Sequence, residues 1–266
     1  MIPYLTASRT SDLEQRFYDH HWKSTGEVND TRERERVELT SSAVPSGSKR
    51  ILDVGCGDGR LSQAIRRKQE CFLVGFDLST VALRQLQGPT CCGSAAQLPF
   101  SDRSFDLVVS TEMMEHLPKQ IYSDVLKEFS RVADKFILIT VPNKENLSEN
   151  IALCPACGSL FHVWGHQRSY SIPRFKNLFD RFHLVRAVAF GDQLESYNRI
   201  LLWIRQKLAG GFVWEERTIC YSCQSSDRPI PRLPFLERIC DSLNSRLWTP
   251  FSKRPGWLLG LYARQG

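Results

Sequence analysis

Residues 51–60 read Ile-Leu-Asp-Val-Gly-Cys-Gly-Asp-Gly-Arg, and this stretch decides the fold of the chain. Its first four residues have the composition of a buried strand, and a helix is predicted to follow because Leu61, Ala64 and Ile65 keep i, i+3, i+4 spacing. The three glycines between strand and helix permit positive φ and leave no Cβ where a ligand would press on the backbone. The helix amino terminus adds free N–H groups and a partial positive charge. The stretch therefore predicts a nucleotide-type binding turn.

Two acidic residues flank this turn in sequence. Asp53 lies in the strand before the first glycine, and Asp77 closes the next apolar run, residues 71–76. A carboxylate at the end of a second parallel strand can accept both hydroxyls of a ribose. The dinucleotide fingerprint G-x-G-x-x-G does not fit, because the third glycine comes one residue early, at Gly59. A tight turn without a ligand is the alternative, and the two acids argue against it.

On Asp53, the three glycines and Asp77, the chain resembles the class I S-adenosylmethionine-dependent methyltransferases. Their signature is an acid, then G-x-G-x-G, then an acid after the second strand, and the resemblance extends from about Tyr18 to Phe190, with a final strand near the carboxyl terminus. It implies an α/β fold with a doubly wound, mostly parallel seven-stranded sheet, and methyl transfer from S-adenosylmethionine to oxygen or nitrogen of a small or medium-sized acceptor. The implied cofactor contacts are Asp53, Gly55, Cys56, Gly57, Gly59, Asp77, Leu78, Ser94, Ala95, Ala96 and Thr111.

One of these positions departs from the family pattern. Ser94 stands where many relatives place an aspartate that accepts from the adenine amino group. A neutral hydroxyl accepts a hydrogen bond without the added strength of a charged acceptor. We therefore expect a weaker contact there, or a backbone carbonyl in that role.

Strands alternate with helical segments along the rest of the chain, which predicts a parallel sheet with helices on both faces. The predicted organisation has four parts: an N-terminal lid or helical segment (1–48), a cofactor-binding domain (49–190), an inserted cap (191–255) and a final antiparallel strand (256–266). Near residue 175 the spacing of apolar residues predicts a further helix. The residues with this spacing are Phe175, Leu178, Phe179 and Phe182.

The aromatic segment Gln15–Trp22 precedes the first strand. In the family resembled, a similar segment folds over the cofactor as a lid. An amphipathic helix docked on the sheet edge has the same composition, so both interpretations stay open.

Composition narrows the class of protein. The 266 residues contain no apolar run near the roughly 20 residues of a membrane span and no signal-peptide pattern at the amino terminus, so we predict a cytoplasmic protein. The net charge is +6, and residues 228–266 carry seven Lys or Arg against two Asp or Glu. A nucleic-acid substrate is not favoured, because the charge is nearly balanced elsewhere and no N/D-P-P-Y/F/W tetrapeptide follows the fourth strand. The sequence says nothing of oligomeric state.

The segment Thr111-Glu-Met-Met-Glu-His116 follows the fourth strand and should line the cleft between donor and acceptor. Methyl transfer to a hydroxyl or ammonium also requires a base. His116 is the first candidate for that base, His166 is the second, and Glu112 is a candidate to orient the donor. The alternative is that His116 only caps the next helix or bonds the backbone.

Two C-x-x-C pairs, Cys154/Cys157 and Cys220/Cys223, lie outside the predicted sheet. Paired thiols in a reducing compartment favour a structural zinc site that pins the insertion over the acceptor pocket. His162 is a possible substitute ligand, and free thiols or a redox pair are the alternatives. The remaining cysteines, Cys56 among them, lack such spacing and are expected to be packing residues.

Residues 235–248 combine apolar and basic side chains at helical spacing. Packing on the sheet edge is favoured, since apolar stripes on helices are more often core. The alternative is a basic amphipathic helix on a membrane surface, which would indicate a lipid- or sugar-linked acceptor. A non-catalytic binding partner that keeps the fold is the competing function, and the intact turn with both acids argues against it.

Overall fold

The structure is a computed structural model that describes residues 18, 19, 22, 31–215 and 218–265. Helix α1 (Thr31–Ser42) precedes an alternating βα core. The core helices are α2 (Arg60–Lys68), α3 (Thr80–Leu83), α4 (Lys119–Val132) and α5 (Ile172–Phe175). The strands are β1 (Arg50–Val54), β2 (Phe72–Asp77), β3 (Thr90–Cys92), β4 (Phe105–Thr111), β5 (Ala133–Pro142), β6 (Ile151–Leu153), β7 (Leu160–His162), β8 (Phe182–Leu194) and β9 (Arg254–Arg264).

Seven strands form one sheet in the order β3-β2-β1-β4-β5-β9-β8. Strands β1 to β5 pair in parallel, and β9 pairs antiparallel with both β5 and β8. The predicted doubly wound, mostly parallel seven-stranded sheet is confirmed. Ligands of such sheets bind beyond the carboxyl ends of the parallel strands, which here gathers the ends of β1, β2, β4 and β5.

Two apolar layers cover the sheet, one on each face. Alternate residues of β1 enter different layers: Leu52 packs with Phe129 of α4, whereas Ile51 packs with Ile65 of α2. This is the burial expected of a strand covered on both sides. The glycine turn after β1 is thereby held between two rigid layers.

The helix predicted through Phe182 is wrong. Helix α5 ends at Phe175, the chain then turns, and Phe182 is the first residue of β8. The apolar spacing is nevertheless satisfied, because Phe175, Leu178, Phe179 and Phe182 are all buried. The apolar spacing correctly predicted which residues enter the core. It did not predict that Leu178 and Phe179 reach the core from an irregular turn and not from a helix.

Residues between β8 and β9 form a helical and irregular segment. It contains α6 (Arg199–Trp203), which continues as a π-helix to Leu208, and α7 (Pro234–Leu243), which continues through π- and 3₁₀-helical turns to Phe251. The separate hairpin β6–β7 was not predicted. Across the described residues, no helix has both the length and the apolar character that crossing a bilayer requires.

Candidate functional site

The glycine turn after β1 has a backbone that only glycine accommodates. Gly55, Gly57 and Gly59 have φ values of +73°, +53° and +81°. A Cβ on Gly57 would lie 2.5 Å from the indole of Trp22, and one on Gly55 would lie 2.6 Å from the side chain of Met113. Such distances are below any van der Waals contact. The turn, called the glycine cradle below, therefore requires glycine at these positions, because the backbone has positive φ and neighbouring side chains occupy the space that a Cβ would take.

Asp77 joins this turn to the loop after β2. Its Oδ2 accepts a hydrogen bond from the Gly57 N–H at 2.9 Å, and its Oδ1 accepts one from the Ser79 N–H at 2.8 Å. Burial raises the pKa of Asp77, and these backbone donors offset part of that rise. Each carboxylate oxygen has a second lone pair, so Asp77 retains the capacity to accept the hydroxyls of a ribose.

Asp53 is buried beneath the turn. Its Oδ2 accepts a hydrogen bond from the Ser62 hydroxyl at 2.6 Å, whereas its buried Oδ1 has no hydrogen-bond partner among the described residues. Burial raises the pKa of Asp53 to about 7. A buried carboxylate oxygen without a donor is costly. This orphaned oxygen fits a ligand that supplies a donor or positive charge at the turn.

Three described residues of the aromatic N-terminal segment lie over this region; its other residues lie outside the described part of the chain. The Asp19 carboxylate accepts a hydrogen bond from the Ser79 hydroxyl at 2.5 Å, and the Tyr18 ring lies 6.2 Å from the ring of His116. Trp22 contacts Gly57. These contacts place the three residues between the glycine turn and the histidines described below.

The remaining predicted cofactor contacts lie on neighbouring loops. Thr111 ends β4, half-buried, beside Thr140 of β5. The Ser94 hydroxyl accepts the Ala96 N–H at 3.3 Å, so this hydroxyl serves a local turn. Leu78 accepts a weak hydrogen bond from the Cys92 thiol through its carbonyl. The Cys56 side chain is buried while its amide lies in the turn, and Ala95 and Ala96 pack partly buried against the core.

The segment after β4 carries two carboxyl groups that are shielded from water. Glu112, at φ +52°, accepts a hydrogen bond from the Trp257 indole N–H at 3.2 Å through Oε2. Glu115 is fully buried, and neither of its carboxyl oxygens has a hydrogen-bond partner in the described structure. Burial raises the pKa of both groups, and the proximity of Glu112 raises that of Glu115 further. Burial therefore shifts both groups toward the protonated form.

Glu145, just beyond β5, holds two histidines in place. Its Oε2 lies 2.6 Å from Nδ1 of His166, and its Oε1 lies 3.4 Å from Nε2 of His162. The two imidazoles stack with centroids 4.8 Å apart. Burial alone would raise the pKa of Glu145, but the two histidine contacts outweigh burial and lower it to about 2.

These contacts fix the tautomers of both histidines. The N–H groups of Trp164 and His166 both point at Nδ1 of His162, so that nitrogen is an acceptor and the proton of His162 lies on Nε2, toward Glu145. An ionised Glu145 is an acceptor only, so His166 donates to it from Nδ1. Neutral His166 therefore carries its lone pair on Nε2. That is the arrangement of an oriented general base.

His116 lies beside this pair. Its ring centroid is 4.7 Å from that of His166, and its Nε2 is 3.9 Å from Glu115 Oε1. The structure thus brings the predicted residues His116, His166 and Glu112 to one region at the ends of β4 and β5. Sequence reasoning missed Glu145 and assigned His162 to the cysteine site, whereas His162 lies with Glu145 and His166.

Arg168 was also missed. Its guanidinium donates to the carbonyls of Met114 and Leu117 and lies 4.0 Å above the Tyr122 ring. Tyr170 donates a second hydrogen bond to the Met114 carbonyl at 3.2 Å. These contacts fix the backbone of the segment that carries Glu115 and His116. The signal in the sequence was the run of polar residues that follows His166.

The four cysteines of the two C-x-x-C pairs meet in space. Their sulfurs all lie within 4.8 Å of one another, with 3.6 Å between Cys154 and Cys223 and 3.6 Å between Cys157 and Cys220. Tetrahedral zinc with Zn–S bonds of about 2.3 Å requires sulfur separations of about 3.8 Å.

The two pairs share one backbone conformation. In each, the residue four positions after the first cysteine has positive φ and donates its N–H to that cysteine's carbonyl, as Gly158 does to Cys154 and Gln224 does to Cys220, both at 2.9 Å. The N–H of Ser222 points at the Cys220 sulfur at 3.4 Å. Two matching turns thus direct four thiols to one point, which is the arrangement of thiolates in structural metal sites.

Comparison with known proteins gives an independent view of the fold. Residues 51–135 match a family described as "Methyltransferase domain". A ubiquinone biosynthesis O-methyltransferase of Neisseria meningitidis serogroup C is 28% identical over 116 residues, which are 39% of this chain and 49% of the relative. The 24-methylenesterol C-methyltransferase 2 of Arabidopsis thaliana is 31% identical over 209 residues, 71% of this chain and 55% of the relative. This chain thus spans about half the length of these curated relatives.

A solved structure has the same fold across the whole chain. The 1,6-didemethyltoxoflavin-N1-methyltransferase of Burkholderia thailandensis, crystallised with its substrate and S-adenosylhomocysteine, aligns with a TM-score of 0.57 at 11% identity. The alignment covers 100% of this chain and 93% of that one. At this identity the likeness establishes the fold alone.

Proposed function

We propose that this chain, which belongs to the class I S-adenosylmethionine-dependent methyltransferases, transfers a methyl group from S-adenosylmethionine to oxygen or nitrogen of a small or medium-sized acceptor. The observation that carries the proposal is the glycine cradle between two rigid layers, with the Asp77 carboxylate fixed at its rim by the Gly57 and Ser79 amides. Beyond anchoring the turn, each Asp77 oxygen retains a lone pair, which a ribose hydroxyl would use.

S-adenosylmethionine supplies an electrophilic methyl group on a positively charged sulfur. The chain's own residues bind the cofactor, shield the cleft from water and remove the proton of the acceptor. The turn of Gly55, Gly57 and Gly59 would bind the cofactor through its backbone, Asp77 would accept from its ribose, and Trp22 with Tyr18 would cover the cleft from the amino-terminal side as a lid. Exclusion of water favours the displacement, since water competes for both reactants.

His166 is the base in this proposal. A neutral hydroxyl acceptor must lose its proton as its oxygen forms the new bond to carbon, and Nε2 of His166 carries the lone pair that takes this proton. Glu145 remains ionised and stabilises the imidazolium that forms, while its other oxygen accepts a hydrogen bond from Asn150 at 3.2 Å and lies 3.4 Å from His162 Nε2. Glu145 and His162 are thus positioning residues. Glu112, paired with Trp257, stays a candidate to orient the donor.

The presence of an oriented base narrows the range of possible methyl acceptors. An oriented base suits a phenol, an alcohol or a protonated amine, and it is not needed for a carboxylate. One of the relatives is an O-methyltransferase and another is a C-methyltransferase, so the relatives do not identify the acceptor atom. We infer that atom from the presence of the base. A small molecule, free or linked to a lipid or sugar, fits the site, and the charge of the chain does not favour a nucleic acid.

The first experiment measures cofactor binding and methyl transfer separately. Calorimetry is expected to show one S-adenosylhomocysteine site per chain with a dissociation constant in about the micromolar range. Label from methyl-tritiated S-adenosylmethionine is then expected in phenolic or amine acceptors of a panel. Absence of S-adenosylhomocysteine binding would refute the proposal. Binding with no transfer to any acceptor would favour the competing function, a non-catalytic partner.

A structural zinc ion at Cys154, Cys157, Cys220 and Cys223 is the second part of the proposal. The site joins the hairpin β6–β7 to the segment before α7, so zinc would fix the insertion against the loop that carries His166. A cytoplasmic location is part of the proposal, since thiols stay reduced there, and all nine cysteines are free in the structure.

Metal analysis tests this part directly. Purified protein is expected to contain about one zinc per chain, and Cys157→Ser/Cys223→Ser is expected to contain at most about a tenth of that, because two thiolates cannot close a tetrahedral site. Cys92→Ser, at an exposed thiol outside both pairs, is the matched control and should retain the metal. Metal-free wild-type protein that unfolds at the same temperature before and after zinc addition would contradict the site.

A further inference from the structure

Helix α7 and its continuation turn an apolar stripe toward solvent. Eleven of the seventeen exposed large apolar side chains in the described structure lie between residues 200 and 251. Proteins that stay monomeric in water rarely expose apolar side chains in such density. We define the exposed stripe as five of these residues that follow one another at four-residue spacing. This spacing places each of them on the next helical turn, and their side chains are 37% to 86% exposed. They are Phe235, Ile239, Leu243, Leu247 and Phe251.

The same helix docks on the protein through its less apolar side. Cys240, Asn244 and Thr249 are buried, and the Asn244 side-chain oxygen accepts the Asn198 N–H at 2.7 Å. Packing of the apolar stripe on the sheet edge, which the sequence favoured, is therefore wrong. The helix is amphipathic with its apolar side outward, which is the character of a surface for interaction with a partner or a membrane.

The charges around the stripe are basic. Residues 199–254 contain ten Lys and Arg against five Asp and Glu. Both acids of α7 are already engaged, because Arg205 of α6 binds Glu237 at 2.7 Å and Asp241 at 3.0 Å. Exposed Arg238 and Arg246 have no ion-pair partner within the described residues. The flank of the stripe thus offers cations to an anionic partner.

We propose that the exposed stripe docks the protein on an anionic lipid bilayer, with the apolar side chains at the boundary of headgroups and acyl chains and Arg238 and Arg246 on the phosphates. Aromatic and leucine side chains flanked by arginine are the composition of interfacial helices. Each basic residue near an anionic surface adds to the attraction. Trp248, 41% exposed beside the stripe, belongs to the residue type that prefers this interface.

The docking surface is connected to the loop between β5 and β6, which carries Glu145, the partner of the proposed base. Glu149 of that loop accepts the Tyr197 N–H at 2.9 Å, and Tyr197 donates to Asp241 of α7 at 2.8 Å. Tyr221, between the paired cysteines, packs on Phe161 with ring centroids 5.3 Å apart. This connection fits a methyl acceptor that is the hydroxyl or amine of an amphiphilic molecule at the bilayer surface. The inference about the acceptor rests on the proposed function.

Vesicle flotation tests the proposal. Wild-type protein with its zinc is mixed with vesicles of phosphatidylcholine alone or of equal parts phosphatidylcholine and phosphatidylglycerol. It is expected to float with the anionic vesicles and to be released by high salt. Leu247→Ser/Phe251→Ser and Arg238→Glu/Arg246→Glu are each expected to weaken binding at least about tenfold. Phe72→Ser, at an exposed aromatic that begins β2, is the matched control and should float as wild type does.

Readouts on the same samples separate this inference from the proposed function. S-adenosylhomocysteine affinity and unfolding temperature are expected to be unchanged in the stripe variants, because these side chains face solvent. Failure of wild-type protein to float with anionic vesicles would overturn the proposal. So would a dimer in sedimentation velocity that Leu247→Ser/Phe251→Ser dissociates without any vesicle binding, since the stripe would then be an interface between copies.

Discussion

Asp77→Ala is expected to weaken S-adenosylhomocysteine binding by about 100-fold or more. Two hydrogen bonds from ribose hydroxyls to a charged acceptor are each worth about 1.5–3 kcal/mol, and about 1.4 kcal/mol corresponds to tenfold in affinity. The variant also releases the Gly57 N–H, so the cradle itself loses its anchor. Calorimetric titration with S-adenosylhomocysteine measures the change.

This loss of binding is expected without loss of the fold. Burial raises the pKa of Asp77, and an acid with a raised pKa in the folded state contributes stability at low pH that disappears as the pH rises. At pH 7 the ionised carboxylate is therefore a cost, and its removal should leave the unfolding temperature within a few degrees. Asp124→Ala, at an exposed acid of α4, should bind as wild type does. An Asp77→Ala affinity within about threefold of wild type would contradict the assignment.

The cofactor side of the site was predictable because its signals are local. The three glycines and Asp53 lie within seven consecutive residues, and Asp77 closes the next strand along the chain. Positive φ at each glycine follows from the turn itself. Local spacing and strand order carried this part of the prediction.

The acid–base side was not predictable in the same way. His166 pairs with Glu145, twenty-one residues earlier, and with His162, and these contacts depend on an unpredicted hairpin. Backbone N–H groups choose the tautomer of His162, and no side-chain pattern records them. Sequence alone therefore named His116 before His166, on its position after β4.

The exposed stripe of α7 and its continuation shows a further limit of prediction from sequence. Four-residue spacing of Phe235, Ile239, Leu243, Leu247 and Phe251 indicates a helix with one apolar side. It does not indicate whether that side faces a core or a partner. Here the burial of Cys240 and Asn244 on the other side shows that the apolar side does not face the core, and only the tertiary structure contains that fact.

His166→Ala is expected to lower kcat for a hydroxyl acceptor by about 10²–10⁴ while S-adenosylhomocysteine binding stays within about twofold of wild type. General-base catalysis contributes a factor of this size, and the residue's role is confined to the acceptor proton. Glu145→Gln should lower kcat less, since the imidazole remains but loses its charged partner. The double variant should be no slower than His166→Ala, because a base that is absent cannot be oriented. Steady-state kinetics on all three variants measures this coupling.

The controls for His166 separate catalysis from folding and from its neighbour. His183→Ala replaces an exposed histidine of β8 and should have wild-type kcat. An acceptor with a more acidic hydroxyl should lose less on His166→Ala, because its proton leaves more readily without help. If His116→Ala instead produced the larger loss and His166→Ala stayed within about tenfold, the base would be His116. Glu145 and His162 would then only brace the loop, and the tautomer argument would not describe the chemistry.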